Sequence, residues 1–251
     1  MLRDAIETLI MKKNLTTSEI TTVCEEILEN KNSLQTAAFL ALLRAKGESA
    51  EDIVAMATVL RAQSRPFEIP FPCIDIVGTG GDGSQSVNIS TGAAILTAAC
   101  GVPVAKHGNR ANTSKCGSAD VLEALGVSID LSPKHLLECL KQLQIAFFFA
   151  PSFNPMMKSI ASLRKELGIP SIFNILGPLL HPARVPYAMI GVGRSELVPL
   201  MAEAVSKLGF KRALVFGGNG FDELTCVGSR DRKSTRLNSS HIQKSRMPSS
   251  A

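Results

Sequence analysis

Apolar residues recur at helical spacing through the first 65 positions and give way to short β-like runs afterwards. Ile20, Val23, Ile27 and Leu28 follow a start signal at Thr17 or Ser18 with Glu19. A hydroxyl followed by an early acid satisfies the free N–H groups of a first helical turn. Ser33 opens SLQTAAFLALLRAK, which Gly47 ends; Ser49 opens the next run, with Glu51 and Asp52 in the first turn, where acids complement the positive end of the helix dipole. With MLRDAIETLI ahead of them, these segments predict four short helices. Ala37, Ala38, Leu40, Leu42 and Leu43 form an apolar face too broad for so small a bundle to cover. Packing on a second domain or on another subunit, as in a homodimer, is therefore expected.

Pro66, Pro70 and Pro72 mark a linker, and beyond it the period changes. Residues 74–77, 102–105, 145–149, 187–191 and 213–216 read as strands; 91–100, 119–125, 133–143, 155–167 and 196–208 read as the helices between them. Strands alternating with helices form βαβ units, which build a mainly parallel central sheet flanked by helices. The expected fold is α/β with a small N-terminal α-helical domain, divided as residues 1–66 and 67–228.

With 251 residues and 45% hydrophobic content, the chain is long enough to bury a sizeable core. Its six cysteines include no C-x-x-C pair, and charges interrupt what would be the apolar part of a leader, so a reducing cytoplasm is the expected location. No apolar run approaches a membrane span, and no membrane partner is expected. The net charge of +5 is local. Of 27 Lys/Arg and 22 Asp/Glu, six and one fall in 229–251, which leaves 21 of each before it. A neutral body argues against a nucleic-acid partner. Residues 229–251 hold seven serines and lack apolar periodicity, so they are expected to be a disordered, non-native tail of the kind that translated vector sequence leaves.

The chemistry concentrates between Asp75 and Ala119. Gly78-Thr-Gly80-Gly81-Asp82-Gly83 follows a strand and satisfies G-x-G-x-x-G, a pattern whose glycines let the backbone approach phosphate. The acid that would bind a dinucleotide ribose about 20 residues later is absent, because the second strand runs into Lys106-His107 instead. Asn88, Ser90 and Thr91 stand at the next helix start, where unpaired N–H groups are expected to face an anion. Successive parallel strands end at one sheet edge, so Lys106-His107-Gly108-Asn109-Arg110 should face the glycine loop across a cleft. Lys106 offers a point charge, Asn109 a directional hydrogen bonder, and Arg110 either an anion fork or a structural clamp. For His107, packing is a simpler reading than proton transfer.

GTGGD, NIST and KHGNR, in this order and after a helical domain, resemble the anthranilate phosphoribosyltransferases. The resemblance extends from the N-terminal helices to about Gly228. It implies a two-domain plan shared with the nucleoside phosphorylases, and transfer of a phosphoribosyl group from phosphoribosyl pyrophosphate (PRPP) to the amine of anthranilate, with pyrophosphate released. It also implies that Gly78, Gly81 and Asp82 line the PRPP site, with Ser86, Asn88, Ile89, Ser90 and Thr91 around the pyrophosphate. Lys106, His107, Gly108, Asn109, Arg110, Ala111, Asn112, Thr113 and Ser114 would form a second wall, closed by Ser118. Arg164 would hold the anthranilate carboxylate. Lys106, Arg164 and His107 are the catalytic candidates, and Ser90, Asp222 and Glu223 the ligands of Mg²⁺.

The pattern departs from the family in places. Asn154 stands where a histidine is usual, Pro170-Ser171 stands where Arg-Thr is usual, and His181 replaces a common asparagine. Relatives extend past the acidic pair, so a parallel sheet short of strands and a weakly active 1–251 are expected. Two other functions are weighed. A pyrimidine-nucleoside phosphorylase would carry a Lys-x-Ser-Thr-Gly-Gly loop, which is absent; a nonenzymatic nucleic-acid-binding relative would carry a basic body and lack the acidic pair.

Overall fold

Capping explains where the N-terminal helices begin in the computed structural model, which describes residues 1–84, 87–111, 115–218, 220–224 and 231–236. Four helices open the chain: α1 (Leu2–Ile10), α2 (Thr17–Leu28), α3 (Ser33–Lys46) and α4 (Ala50–Gln63). The α2 cap is Thr16, one residue ahead of the expected start. Its Oγ1 accepts the Glu19 N–H at 3.3 Å while Glu19 accepts the Thr16 N–H at 2.7 Å. Ser49 and Asp52 close the same reciprocal box at the start of α4. Ile20, Val23 and Ile27 of α2 and Phe39, Leu40 and Leu43 of α3 are buried, as their spacing predicts.

Two units emerge from the contacts. One comprises 1–66 together with 151–182; the other comprises 67–150 and 183–251. The first thus includes a segment assigned from sequence to the α/β part. That segment holds α8 (Ala150–Phe153, whose first residue belongs to the other unit), a 3₁₀ turn at Pro155–Lys158, α9 (Ala161–Leu167) and α10 (Phe173–Leu176). Backbone and side-chain hydrogen bonds tie it to the N-terminal helices: Arg65 N–H to the Phe153 carbonyl at 2.8 Å, Ser159 Oγ to the Leu28 carbonyl at 3.1 Å, and Arg61 Nε to the Leu179 carbonyl at 2.6 Å. The single helix expected over 155–167 is broken around 159–160, because Asn154-Pro155 starts a tight 3₁₀ turn that does not continue in α geometry.

The second unit contains β1 (Ile74–Gly78), α5 (Ile89–Ala99), β2 (Val104–Gly108), α6 (Ser118–Ala124), α7 (Pro133–Leu143), β3 (Ile145–Phe149), β4 (Tyr187–Gly191), α11 (Val198–Lys207), β5 (Arg212–Gly217) and β6 (Asp231–Arg236). Sheet order is β3-β2-β1-β4-β5-β6, with β1 to β5 parallel. The expected α/β class with its mainly parallel sheet is what forms. Ile76, Ala94, Ala98 and Val104 pack α5 onto β1 and β2.

The far edge differs from expectation. Residues 231–236, read from sequence as part of a disordered tail, pair antiparallel with all six residues of β5, from Arg212↔Arg236 to Gly217↔Asp231. A polar segment can do this because an open strand edge presents unsatisfied N–H and C=O groups, and backbone pairing needs no apolar side chains. The rest of 229–251 lies outside the described residues.

Candidate active site

The carboxyl ends of β1, β2 and β5 lie at one edge of the sheet, and the segments that follow them carry most of the candidate residues. Gly78 ends β1, and a Cβ there would run into the Asp222 carboxylate. The loop then turns through Gly80 and Gly81, at φ +67° and +75°, a region closed to most side chains. Gly80 N–H donates to Asp222 Oδ2 at 2.7 Å, which binds the glycine loop to the acidic turn 142 positions away. Asp82 points into the same place: its Oδ1 accepts Ser84 N–H at 3.1 Å, while its Oδ2 is buried with no donor facing it.

Three carboxylates, Asp82, Asp222 and Glu223, therefore share a half-enclosed space. Desolvation, followed by repulsion from Asp222, pushes Glu223 up to about 7, and Asp222 is raised chiefly by its own burial. A hard cation fits this donor set, since it would relieve both the repulsion and the buried, undonated Asp82 oxygen. Among the described residues there is no ready-made group of three or more metal-ligating side chains.

The start of α5 corrects one expectation. Its N–H groups are not all open to a ligand: Ile89 N–H donates to the Val87 carbonyl at 2.7 Å, Thr91 N–H to the Asn88 carbonyl at 3.1 Å, and Ser90 N–H to the Glu223 carboxylate. Glu223 occupies the anion position at the positive helix end. Asn88 is the N-cap but makes no side-chain cap; its Nδ2 donates to the Cys116 carbonyl at 3.1 Å instead, which ties the helix start to the second turn. Thr91 is buried and its Oγ1 has no hydrogen-bond partner.

Lys106 is only 3% exposed. Its Nζ donates to the Ile76 carbonyl at 2.7 Å and to Ser90 Oγ at 3.4 Å, so it reaches from β2 across to β1 and the start of α5. Burial lowers its pKa, opposed by the charges of Asp75 and Glu223. His107 is buried in β2, and its backbone N–H donates to Asp75 Oδ1 at 3.1 Å. Asp75 is the residue the sequence reading missed. A carboxylate within the apolar run IDIVG was the available signal, because a strand buried on both faces leaves no solvated position for it.

The second turn is braced from within. Gly108 abuts Ser118 and the Phe147 ring, with no room for a Cβ. The Asn109 carbonyl accepts Ala119 N–H at 3.1 Å and Ser118 Oγ at 3.3 Å, and its Oδ1 accepts Arg110 N–H at 2.8 Å. Arg110 grips Glu123 with two bonds of 3.1 and 2.7 Å and lies 4.9 Å over the Phe149 ring, which is the clamp geometry rather than an open fork. Asp120 holds Ala111 and Gly117 by their N–H groups at 2.8 and 2.7 Å, and those bonds keep its carboxyl below the usual range. Ser86, Asn112, Thr113 and Ser114 lie outside the described residues.

Arg164 belongs to the other unit. It sits in α9, half-buried, its Nε enclosed without a hydrogen-bond partner and its guanidinium 6.0 Å from the Phe173 ring centre. Burial lowers its pKa. A planar cation held this way is suited to a carboxylate. Asn154 and His181 are buried in the same unit.

The chain is similar to known proteins over most of its length. The model of the glycosyl transferase family helical bundle domain matches residues 3–64, and that of the glycosyl transferase family a/b domain matches 71–245. The chain is 46% identical over 244 residues to the anthranilate phosphoribosyltransferase of Chlamydia caviae, covering 94% of this chain and 71% of that protein. It superposes on the crystal structure of the Thermus thermophilus enzyme of that name with TM-score 0.84 and 40% identity, over 94% of this chain and 71% of the other. The Saccharomyces cerevisiae enzyme, solved in complex with PRPP and Mg, gives TM-score 0.84 at 29% identity, over 94% and 72%.

Proposed function

The chain belongs to the anthranilate phosphoribosyltransferase family, and from that membership we propose that its site transfers the phosphoribosyl group of PRPP to the amine of anthranilate. The observation that carries this reading is the convergence of Lys106, the glycine loop and the Asp82–Asp222–Glu223 carboxylates at one edge of the sheet. In the reaction the C1–oxygen bond of the ribose breaks, pyrophosphate leaves with the electron pair, and the amine nitrogen forms the new C1–N bond and gives up a proton. An aromatic amine has a free lone pair at neutral pH, so positioning and charge stabilisation supply most of the acceleration.

Each group then has a task. Lys106 would supply positive charge to the leaving pyrophosphate. Gly78 and Gly81 let the backbone approach the phosphates, and Asp82 orients the loop. Ser90, Asp222 and Glu223 would hold Mg²⁺, which when bound neutralises charge developing on the leaving group. Asn88, Asn109 and Ser118 keep the two turns in place around the donor, and Arg110 acts through them. Arg164 is assigned the carboxylate of the acceptor. His107 contributes its backbone N–H, held by Asp75.

The protein is further proposed to work as a homodimer in the cytoplasm. No helix among the described residues is long and apolar enough to cross a membrane. The test is loss of anthranilate fluorescence on mixing with PRPP and Mg²⁺, paired with calorimetric binding of PRPP. PRPP- and Mg²⁺-dependent loss is expected. Absence of both signals, with phosphorolysis of thymidine instead, would favour the nucleoside phosphorylase reading.

A further inference from the structure

β1 and β2 part company where the site begins. They pair only at Ile74↔Val104, whereas β1 pairs with β4, and β2 with β3, over five positions each. In a regular parallel ladder with that register, the Ile76 carbonyl would accept the His107 N–H. Here both partners are taken by side chains. The His107 N–H goes to Asp75 Oδ1 at 3.1 Å, and the Ile76 carbonyl accepts Lys106 Nζ at 2.7 Å. One ladder bond is replaced by a carboxylate and an ammonium, each inserted from a neighbouring residue. Asp75 is 1% exposed and its second oxygen, Oδ2, is buried with no donor.

Burying an unneeded carboxylate in the middle of a sheet is costly, and so is giving up a backbone bond. The arrangement yields a splayed pair of strands whose ends carry the glycine loop and the KHGNR turn. We propose that Asp75 is a positioning residue: by holding the His107 N–H and facing Lys106 it keeps the β1–β2 ladder open and fixes the Lys106 ammonium on the Ile76 carbonyl and Ser90, aimed at the phosphates of PRPP. This rests on the phosphoribosyl transfer proposed above. Asp75 touches no substrate; it acts through Lys106 and the backbone of His107.

The experiment is calorimetric binding of PRPP with Mg²⁺ to the unaltered protein, to Asp75→Asn, to Lys106→Met and to the double variant. With the titrations run at pH 8, where the Asp75 carboxyl is ionised, removing its negative charge near an anion site would, by electrostatics alone, tighten PRPP. Loss of positioning predicts the opposite: Asp75→Asn binds PRPP roughly 10- to 100-fold more weakly, the scale of a lost charge-assisted interaction. In the Lys106→Met background the same substitution should change binding less than about twofold, because its intermediary is gone. Unchanged or tighter binding by Asp75→Asn, or full additivity in the double variant, overturns the proposal. If Asp75→Asn does not fold, NMR of the unaltered protein decides: a through-hydrogen-bond coupling from the His107 amide nitrogen to the Asp75 side-chain carboxyl carbon supports the inserted carboxylate, and one to the Ile76 carbonyl carbon rejects it. Absence of PRPP binding by the unaltered protein would reject the transfer reading itself, and this inference with it.

Discussion

Asp75 is fully buried and its carboxyl is pushed up to about 7, mainly by desolvation, with Lys106 and two backbone N–H groups pulling the other way. The unfolded value is about 3.9, so between those limits the folded protein holds a proton that the unfolded chain has released. Stability should therefore fall as pH rises from about 4 to about 7. Thermal melts across that range should show a slope that Asp75→Asn flattens; parallel slopes would contradict the shift. Glu223, raised to about 7 by burial and Asp222, adds a metal-dependent effect. Glu223→Gln should weaken Mg²⁺-supported PRPP binding by roughly 10-fold or more, measured by titration of Mg²⁺ at fixed PRPP. Candidate site residues could be proposed from sequence, because glycines, hydroxyls and a Lys-His-Gly-Asn-Arg turn have few other uses together. Their partners could not. Arg110 was equally consistent with an anion fork until Glu123 and Phe149 appeared beside it.

Elements were legible where a local signal marks them. Ser49 with Asp52 begins α4 at the expected place, and Glu19 marks the start of α2 although its cap is Thr16 rather than Thr17 or Ser18. Thr16→Ala should cost about 1 kcal/mol of stability, read as a shifted denaturation midpoint with unchanged slope. Strand ends are less local. Gly191 closes β4 where a Cβ would collide with the Asp222 backbone carbonyl, a contact that nothing near Gly191 in sequence announces. Gly191→Ala should destabilise by about 1–3 kcal/mol and displace the acidic turn. Mg²⁺-dependent PRPP binding would then be lost while helical circular dichroism persists; retained binding would show that the turn does not depend on that contact. The break of the expected 155–167 helix is the converse case, where apolar spacing continued but Asn154-Pro155 set a 3₁₀ turn first.

Between units of the molecule, chain order and spatial grouping diverge. Residues 151–182 pack with 1–66, held at Leu28, Arg61 and Arg65, although the sequence places them among the strands and helices of the α/β part. A fragment of 1–66 should accordingly lose cooperative thermal unfolding by circular dichroism, and a linked 1–66/151–182 chain should regain it. A cooperative transition in 1–66 alone would show that the added segment is dispensable. Residues 231–236 likewise join the sheet at β5 despite a composition without strand character. What the amino-acid order settled unaided was the helical start, the alternation of strands and helices, and the family motifs. Each depends on preferences expressed within a few neighbouring residues. The folded chain alone decided that Gly80 meets Asp222, that Asp75 and Lys106 replace a ladder bond, that Glu223 sits on the start of α5, and that Arg110 is a clamp. Several of these join positions tens to more than a hundred residues apart. They arise from how closed loops bring strand ends together and from how much water the closure removes, neither of which a local pattern encodes.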